Sequence, residues 1–300
     1  MEAQVVVLRI LVTGASGLVG HRVARLALEK GHEVYCLYRE HAVNIGVPLT
    51  LDITDGGRLL KTISEVKPNA IIHTAAYTDV DGCEANRDLA WRVNAEATRS
   101  IAEASAENGS HMVYVSTDYV FDGEKGLYLE DDQTNPVNYY GFTKLKGEEF
   151  VKEYAVEWCI ARTSVIYGWS LTGKPNFATW VINNLRQRKE VNALIDQYVS
   201  PTLNTNLAEM LLEVAERRIT GVLHASGATR INRYMFALKL AEAFSLDKDL
   251  VKPAEMRSIS WKARRPRDSS LNVDKASTLL KAKPLKLEQA LRNMRNIKPG

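Results

Sequence analysis

Short β-branched runs alternate with longer amphipathic stretches through the first half of the chain, and this alternation constrains the fold most strongly. The apolar runs are residues 8–14, 33–37, 70–76, 111–116 and 158–164. Helical patterns separate them, most clearly at 18–31 and 88–109. Continuous apolar strands that are joined by crossover helices form a parallel sheet with both faces covered. The pattern therefore predicts a doubly wound α/β domain.

The second half of the chain follows this rhythm less strictly. Residues 221–226 predict a strand and 232–244 a helix, whereas 252–272 carry Pro, Arg and Ser without periodicity and predict loops. We expect a Rossmann-type doubly wound parallel sheet and a smaller C-terminal α/β substrate domain. The predicted domains are residues 1–166, to which 198–225 return, and residues 167–197 together with 226–300.

Composition narrows the class of protein. The 300 residues are 45% hydrophobic, which suffices for a large core. A formal net charge of +3 gives no electrostatic reason to expect nucleic acid or a membrane as partner. The three cysteines and six histidines lack metal-ligand spacing, so we expect no metal and a reducing cytoplasm. The apolar start, MEAQVVVLRILVTG, is too short to span a bilayer and is interpreted as the first strand.

The stretch TGASGLVG follows the first predicted strand and opens the first predicted helix. Glycines here allow a sharp turn and let a diphosphate approach the free N–H groups of the helix N-terminus. Ordinary turns also collect glycine, but the strand, loop and helix context favours a dinucleotide site. The predicted phosphate contacts are Gly14, Ser16, Gly17, Leu18, Val19 and Gly20.

The end of the second predicted strand bears on the choice of nicotinamide cofactor. An acidic residue at this place suits the ribose of NAD, whereas an arginine accepts the 2′-phosphate of NADP. Arg39 favours NADP, although Glu40 adjoins it and an exposed arginine is also an ordinary surface residue. We therefore expect NADPH, with NADH as the alternative.

Two tyrosines precede a lysine in NPVNYYGFTK, residues 135–144. Residues four apart share one face of a helix, which pairs Tyr140, and not Tyr139, with Lys144. A neighbouring ammonium favours the phenolate and brings the pKa of a phenol, ordinarily about 10, closer to neutrality. The pair predicts an acid for proton transfer, although such spacing also occurs on ordinary helix surfaces.

The GxxGxxG spacing and the string YYGFTKLKGEE resemble the extended short-chain dehydrogenase/reductase superfamily. The resemblance implies that Tyr140 and Lys144 also contact the cofactor, and that Thr117 supplies a catalytic hydroxyl, with Ser116 as the alternative. It implies an adenine contact at Asp52 and Ile53. Asp118 is implied to be a neighbour of the substrate, and is equally suited to a turn.

Further segments resemble the dTDP-4-dehydrorhamnose reductase family. They are HTAAYTDVDGCE (73–84), VNAEAT (93–98), ARTSVIYG (161–168), DQYVSPT (196–202) and RRPRDSSLN (264–272). Asp118 is followed by Tyr119 instead of the second carboxylate of related dehydratases, which leaves simple hydride transfer. The resemblance implies reduction of the 4-keto group of dTDP-4-dehydro-L-rhamnose to dTDP-L-rhamnose with NAD(P)H.

The same resemblance assigns roles to further positions. It implies that the residues lining or supporting the cofactor include Ala75, Ala76, Tyr77 and Asn94. It places the nucleotide sugar near Asn176 and the arginines of 264–267, of which Arg265 is the predicted substrate contact. Planar bidentate donors suit a diphosphate, although these arginines also suit a solvated basic surface.

Two departures from the family pattern leave the function open to alternatives. Val165 stands where the family has a tryptophan, and Val199 where a glycine is usual. The regulatory β subunit of methionine adenosyltransferase, which binds NADP, also has an aliphatic residue at the first position. The alternatives are such a regulatory subunit, or another extended short-chain nucleotide-sugar reductase or epimerase. We expect a monomer or a homodimer.

Overall fold

The computed structural model describes residues 6–170 and 172–297. Residues 1–5 of the predicted first-strand segment and residues 298–300 of the second domain lie outside the described residues. The strands are β1 (Arg9–Thr13), β2 (Glu33–Tyr38), β3 (Val47–Thr50), β4 (Ala70–His73), β5 (His111–Thr117), β6 (Glu157–Thr163), β7 (Ile166–Tyr167), β8 (Val191–Leu194), β9 (Tyr198–Val199), β10 (Thr202–Leu203), β11 (Gly221–His224), β12 (Ile231–Asn232) and β13 (Val251–Ala254).

The helices cover both faces of the sheet and build the second lobe. They are α1 (Gly20–Glu29), α2 (Gly56–Val66), α3 (Val80–Ala85), α4 (Arg87–Trp91), α5 (Ala97–Glu107), α6 (Tyr139–Tyr154), α7 (Phe177–Arg186), α8 (Asn204–Glu216), α9 (Arg233–Ala243), α10 (Asp274–Leu279) and α11 (Leu287–Asn296). The helix predicted over 88–109 is divided between α4 and α5 by a π-helical segment, Arg92–Glu96.

The central sheet has seven strands in the order β11-β6-β5-β4-β1-β2-β3, and all neighbouring strands are parallel. The predicted doubly wound parallel sheet is therefore confirmed. After β3 the chain crosses to the other side of β1, so connections leave β1 and β4 in opposite directions. Such a switch of direction opens a crevice at the carboxyl ends of the strands.

Alternate residues of β1 explain why the strand sequences are continuously apolar. Ile10 and Val12 pack on the face covered by α1 and α8, whereas Leu11 packs on the face covered by α2, α5 and α6. Successive strand residues point to opposite faces, and here both faces are buried. The β1 side chains Ile10, Leu11 and Val12 are accordingly fully buried.

A separate hydrophobic cluster holds together the second lobe, which contains α7, β8, α9, β13 and α11. Its buried members include Val181 of α7, Phe236 of α9, Leu291 of α11 and Val191 of β8. The strand β11, within the segment predicted to return, forms an edge of the main sheet. Residues 276–280 also pack with the sheet-side core, a return that the predicted boundaries do not include.

No helix within the described residues is long and apolar enough to cross a membrane. Among the same residues, no group of three or more His, Cys, Asp or Glu side chains is placed to hold a metal ion. The three cysteines, Cys36, Cys83 and Cys159, are buried free thiols. Burial raises the pKa of Cys36 to about 11, so this thiol stays protonated at neutral pH.

Candidate active site

A cleft of about 990 Å³ opens at the carboxyl ends of the parallel strands. Its walls include the segments that directly follow β1, β2, β3 and β4, the end of β5 and the first turns of α6. Residues between the end of β6 and the start of α7, and the first residue of α9, complete them. Of the residues predicted from the sequence, those lining the cleft are Gly14, Ser16, Gly17, Leu18, Val19, Gly20, Arg39, Asp52, Ile53, Ala75, Ala76, Tyr77, Thr117, Asp118, Tyr140, Lys144 and Asn176.

The glycine loop forms a cradle that larger residues would fill. Gly14 has a φ of +68°, and a Cβ atom there would lie 2.8 Å from the backbone nitrogen of Ala75. A Cβ at Gly20 would collide with the carbonyl oxygen of Gly14. No side chain of the described residues caps the helix at Val19, the residue before α1. The first N–H groups of α1 thus remain suited to an anion, as a dinucleotide diphosphate requires.

Two side chains at the far end of the cleft suit the adenosine half of a dinucleotide. Arg39 is more than half exposed, and its guanidinium lies 2.6 Å from a carboxylate oxygen of Glu40. An exposed ion pair of this kind is weak, so it leaves the guanidinium able to turn toward a phosphate. Asp52 accepts hydrogen bonds from the N–H and the hydroxyl of Thr54, which fixes the turn after β3.

Asn94 lies behind the cleft and not on its surface. Its side-chain oxygen accepts a 2.8 Å hydrogen bond from the N–H of Tyr77, and its NH₂ group donates to the carbonyl of Tyr77. The same NH₂ group donates a 3.1 Å hydrogen bond to the hydroxyl of Thr143 on α6. Asn94 therefore joins the loop after β4 to the helix that carries Tyr140.

Helix α6 presents Tyr140 and Lys144 to the cleft on the same face. Asn138 caps the helix by accepting a 2.8 Å hydrogen bond from the N–H of Gly141. The Nζ atom of Lys144 donates a 2.8 Å hydrogen bond to the carbonyl of Val115 on β5 and lies 4.1 Å from the centre of the Tyr114 ring. These contacts fix the ammonium between α6 and the sheet.

The electrostatics of the pair differ from the sequence prediction. Burial raises the pKa of Tyr140 more than its hydrogen bond with Thr117 lowers it. Burial also lowers the pKa of Lys144 to about 7, partly opposed by the charge of Glu148. The prediction that Lys144 brings the pKa of Tyr140 toward neutrality is wrong here, because burial dominates and the ammonium bonds to the Val115 carbonyl. Tyr140 therefore stays protonated at neutral pH and is suited to donate a proton.

Asp118 is a buried acceptor for three hydroxyl groups. Its Oδ1 accepts a 3.1 Å hydrogen bond from Thr117, and its Oδ2 accepts bonds of 2.8 Å from Ser164 and 2.5 Å from Ser269. Burial raises the pKa of this carboxyl group despite these bonds. Asp118 touches the cleft, but its oxygens are already engaged, and its contact with Thr117 fixes that hydroxyl at the end of β5.

Two predicted substrate residues are placed differently from one another. Asn176 lines the cleft and caps α7, donating a 2.7 Å hydrogen bond to the carbonyl of Gly168. Arg265 is not among the residues lining the cleft. Its Nη1 lies 3.2 Å from Asp81, its guanidinium lies over the ring of Trp261, and it borders a separate groove. The structure therefore does not bring Arg265 together with the other predicted site residues, because Asp81 of α3 holds it.

Sequence reasoning missed Arg233, which lies on the cleft wall as the first residue of α9. The sequence nevertheless contains a feature that could have identified this arginine. A cation in the first turn of a helix meets the positive end of the helix dipole, which is unfavourable without another role. The sequence pattern of residues 232–244 shows the arginine at the start of a predicted helix, directly after Asn232.

Val165 also lines the cleft and adopts an unusual backbone conformation. Its φ is +40°, in the left-handed region that β-branched residues rarely adopt. The residue stands where the family resemblance predicts a tryptophan. Strained backbone of this kind is found most often at functional sites.

Comparison with known proteins supports the same family. The model of the family described as "RmlD substrate binding domain" matches residues 8–298. The probable low-salt glycan biosynthesis reductase Agl14 of Haloferax volcanii is 35% identical, covering 87% of this chain and 89% of that protein. The dTDP-4-dehydrorhamnose reductase of Aggregatibacter actinomycetemcomitans is 31% identical, covering 96% and 98%. Methionine adenosyltransferase 2 subunit beta of Bos taurus is 31% identical, covering 90% and 82%.

A solved structure extends this similarity to three dimensions. The crystal structure of dTDP-4-dehydrorhamnose reductase from Bacillus anthracis in complex with NADP is 30% identical to this chain, with a TM-score of 0.87. The similarity covers 97% of this chain and 99% of that one.

Proposed function

We propose, since this chain belongs to the RmlD substrate binding domain family, that it is an NADPH-dependent reductase of a nucleotide sugar. The proposed reaction converts the 4-keto group of dTDP-4-dehydro-L-rhamnose to the hydroxyl of dTDP-L-rhamnose. The observation that carries this proposal is a single cleft in which a glycine cradle adjoins the buried Thr117 and Lys144 and the half-buried Tyr140. The position of Arg39 favours NADPH, with NADH as the alternative reductant.

The residues of the cleft divide into those that hold the cofactor and those that act on the substrate. The N-terminus of α1 and the loop Gly14–Gly20 suit the diphosphate of the cofactor, and Arg39 suits its 2′-phosphate. NADPH, when bound, supplies the hydride that adds to the C4 carbonyl carbon of the sugar.

Tyr140 completes the reaction by acid catalysis. Its protonated hydroxyl transfers its proton to the C4 oxygen as negative charge develops there. The Thr117 hydroxyl, which donates to Asp118 in the structure, turns to donate a hydrogen bond to the same oxygen. Lys144, on the same face of α6, then returns a proton to the transient tyrosinate. Because burial lowers the pKa of Lys144 to about 7, this lysine is able to exchange a proton at neutral pH.

A spectrophotometric assay tests the proposal. Purified protein is expected to oxidise NADPH only when dTDP-4-dehydro-L-rhamnose is present. Tyr140→Phe is expected to lower kcat by about 10²- to 10⁴-fold with unchanged NADP affinity, because only the proton donor is lost. Tyr139→Phe is the matched control, since Tyr139 lies outside the cleft and contacts Phe142. Turnover that survives in Tyr140→Phe contradicts the assigned acid.

The assay also separates the alternatives. An epimerase converts its sugar without net consumption of NADPH. A regulatory subunit of the methionine adenosyltransferase type binds NADP, gives no turnover and associates with the adenosyltransferase. We further propose a monomer or homodimer in the cytoplasm that acts on a small nucleotide sugar, and not on nucleic acid or a membrane. Sedimentation of the purified protein with its cofactor tests the oligomeric state.

A further inference from the structure

Arg233 is a cation of the cleft wall whose function the proposed reaction does not yet explain. Its Nε donates a 3.1 Å hydrogen bond to the side-chain oxygen of Gln197, and its guanidinium lies 4.9 Å from the centre of the Phe177 ring. These two contacts fix the plane of the guanidinium. Neither NH₂ group has a hydrogen-bond partner among residues 6–170 and 172–297, although part of the residue is accessible from the cleft.

The charge of Arg233 has no contacting counter-charge. Within the described part of the chain Arg233 forms no ion pair. The acidic groups that act on it are Tyr119 and then Asp118, whose oxygens accept hydrogen bonds from three other side chains. Burial lowers the pKa of Arg233, yet an arginine remains charged in proteins. A cation that is partly withdrawn from water without an anion is unfavourable, and Arg233 is half-buried. The positive N-terminal end of α9, where Arg233 is the first residue, adds to that cost.

An anion from the substrate would offset both costs, which are the partial burial of the Arg233 charge and its repulsion by the positive end of α9. The guanidinium offers two NH₂ groups in one plane, a geometry that suits paired oxygens of a phosphate or carboxylate. The position of Arg233 relative to Tyr140 is also consistent with binding of the substrate. Gln197, which accepts the hydrogen bond from Arg233, also contacts the hydroxyl of Tyr119. The Tyr119 ring in turn packs 5.9 Å from the ring of Tyr140.

We propose that Arg233 binds the diphosphate of the nucleotide-sugar substrate through its two NH₂ groups, an assignment that rests on the proposed function. The diphosphate is attached at C1, across the sugar ring from C4. When the C4 carbonyl faces Tyr140, the diphosphate begins about one ring width away, and we assign it to the part of the cleft wall that Arg233 forms. Arg233 thereby fixes the end of the sugar that does not react.

Binding of dTDP, which carries the diphosphate without the sugar, tests this role apart from turnover. Calorimetric titration into the NADP-bound protein is expected to show that Arg233→Gln weakens dTDP binding about 10- to 100-fold, the loss typical of hydrogen bonds to a charged group. Arg233→Lys is expected to lose less, because it keeps the charge without the bidentate geometry. Thymidine binding and NADP binding are expected to be unchanged. Arg292→Gln, on the exposed side of α11, is the control.

Other outcomes would overturn the assignment. If Arg233→Gln binds dTDP like the wild type while Arg267→Gln does not, the diphosphate lies in the separate groove that Arg265 and Arg267 border. A sugar carboxylate would be the recognised anion if dTDP binding were unchanged but a preference for UDP-glucuronate over UDP-glucose disappeared in Arg233→Gln. Should Arg233→Gln fail to fold, Arg233→Lys and the salt dependence of dTDP binding decide. If Arg233→Gln loses dTDP binding but the wild type shows no reductase activity, the proposed function is refuted and the assignment of Arg233 as an anion site stands.

Discussion

Arg162 of β6 donates hydrogen bonds of 2.9 and 2.7 Å to the two carboxylate oxygens of Glu148 on α6. Both side chains are almost completely buried, with exposures of 3% and 0%. Glu148 also accepts a 2.6 Å hydrogen bond from Ser116, the residue before Thr117. Because Glu148 lies one helical turn beyond Lys144, the ion pair ties the helix carrying Tyr140 and Lys144 to β6. The bond from Ser116 ties the same helix to β5, the strand that carries Thr117.

Breaking that ion pair from one side is expected to destabilise the fold strongly. Arg162→Met leaves a buried carboxylate without its partner, and Glu148→Leu leaves a buried guanidinium without its own, each costing about 3–5 kcal/mol. The double variant Arg162→Met/Glu148→Leu is expected to lose less than the sum of the single losses, since no buried charge remains. Urea unfolding measures the free energy of unfolding of the wild type, the two single variants and the double variant. Single variants that lose under about 1 kcal/mol would contradict the role of this pair.

Lys144 is expected to make stability depend on pH in the alkaline range. Burial lowers its folded-state pKa to about 7, whereas an unfolded lysine titrates at about 10.4. Between these values the unfolded chain binds more protons, so the contribution of Lys144 to stability rises with pH. The stability advantage of Lys144→Met over the wild type is therefore expected to shrink between about pH 7 and about pH 10. Urea unfolding at several pH values checks this, with Lys152→Met on the exposed face of α6 as the control.

The sheet could be predicted because its cause is local. The five apolar runs predicted as strands correspond to β1, β2, β4, β5 and β6, whose side chains are buried by helices on both faces. Strand β3 was not predicted, since its sequence VPLT is mostly exposed and contains a proline. The pairing of β13 with β8 was also missed, because short strands of the second lobe depend on contacts between distant segments.

The site divides in the same way. The glycine loop and the Tyr140 and Lys144 spacing are encoded within a few residues, and the structure places both on one cleft. The position of Arg265 depends on Asp81, which is 184 residues earlier in the chain, so no local pattern reveals it. The pKa of Tyr140 likewise depends on burial by the assembled lobes, which a helical spacing does not report.

Replacing Val165 with glycine is expected to cost much less stability than the same replacement of a valine in ordinary extended backbone. Its φ of +40° is costly for a β-branched residue, and glycine adopts this conformation without strain. We expect Val165→Gly to change the free energy of unfolding by less than about 1 kcal/mol, since relief of strain offsets the lost side-chain contacts. Val199→Gly, at the fully buried residue of β9, is expected to cost about 3 kcal/mol or more. Equal losses in the two variants would show that Val165 is not strained.

Arg39 is expected to determine the preference for NADPH over NADH. It lines the cleft beyond β2, with only the exposed Glu40 as an ion-pair partner among the described residues. Arg39→Ala is expected to raise the KM for NADPH about 10- to 100-fold and to leave the KM for NADH unchanged, because only NADPH carries the 2′-phosphate. The kcat values are expected to stay constant, since this contact is equally strong before and during hydride transfer. Steady-state kinetics with both reductants measures the effect, with Arg58→Ala on the exposed side of α2 as the control. An equal rise in both KM values would instead assign Arg39 to general support of the cleft.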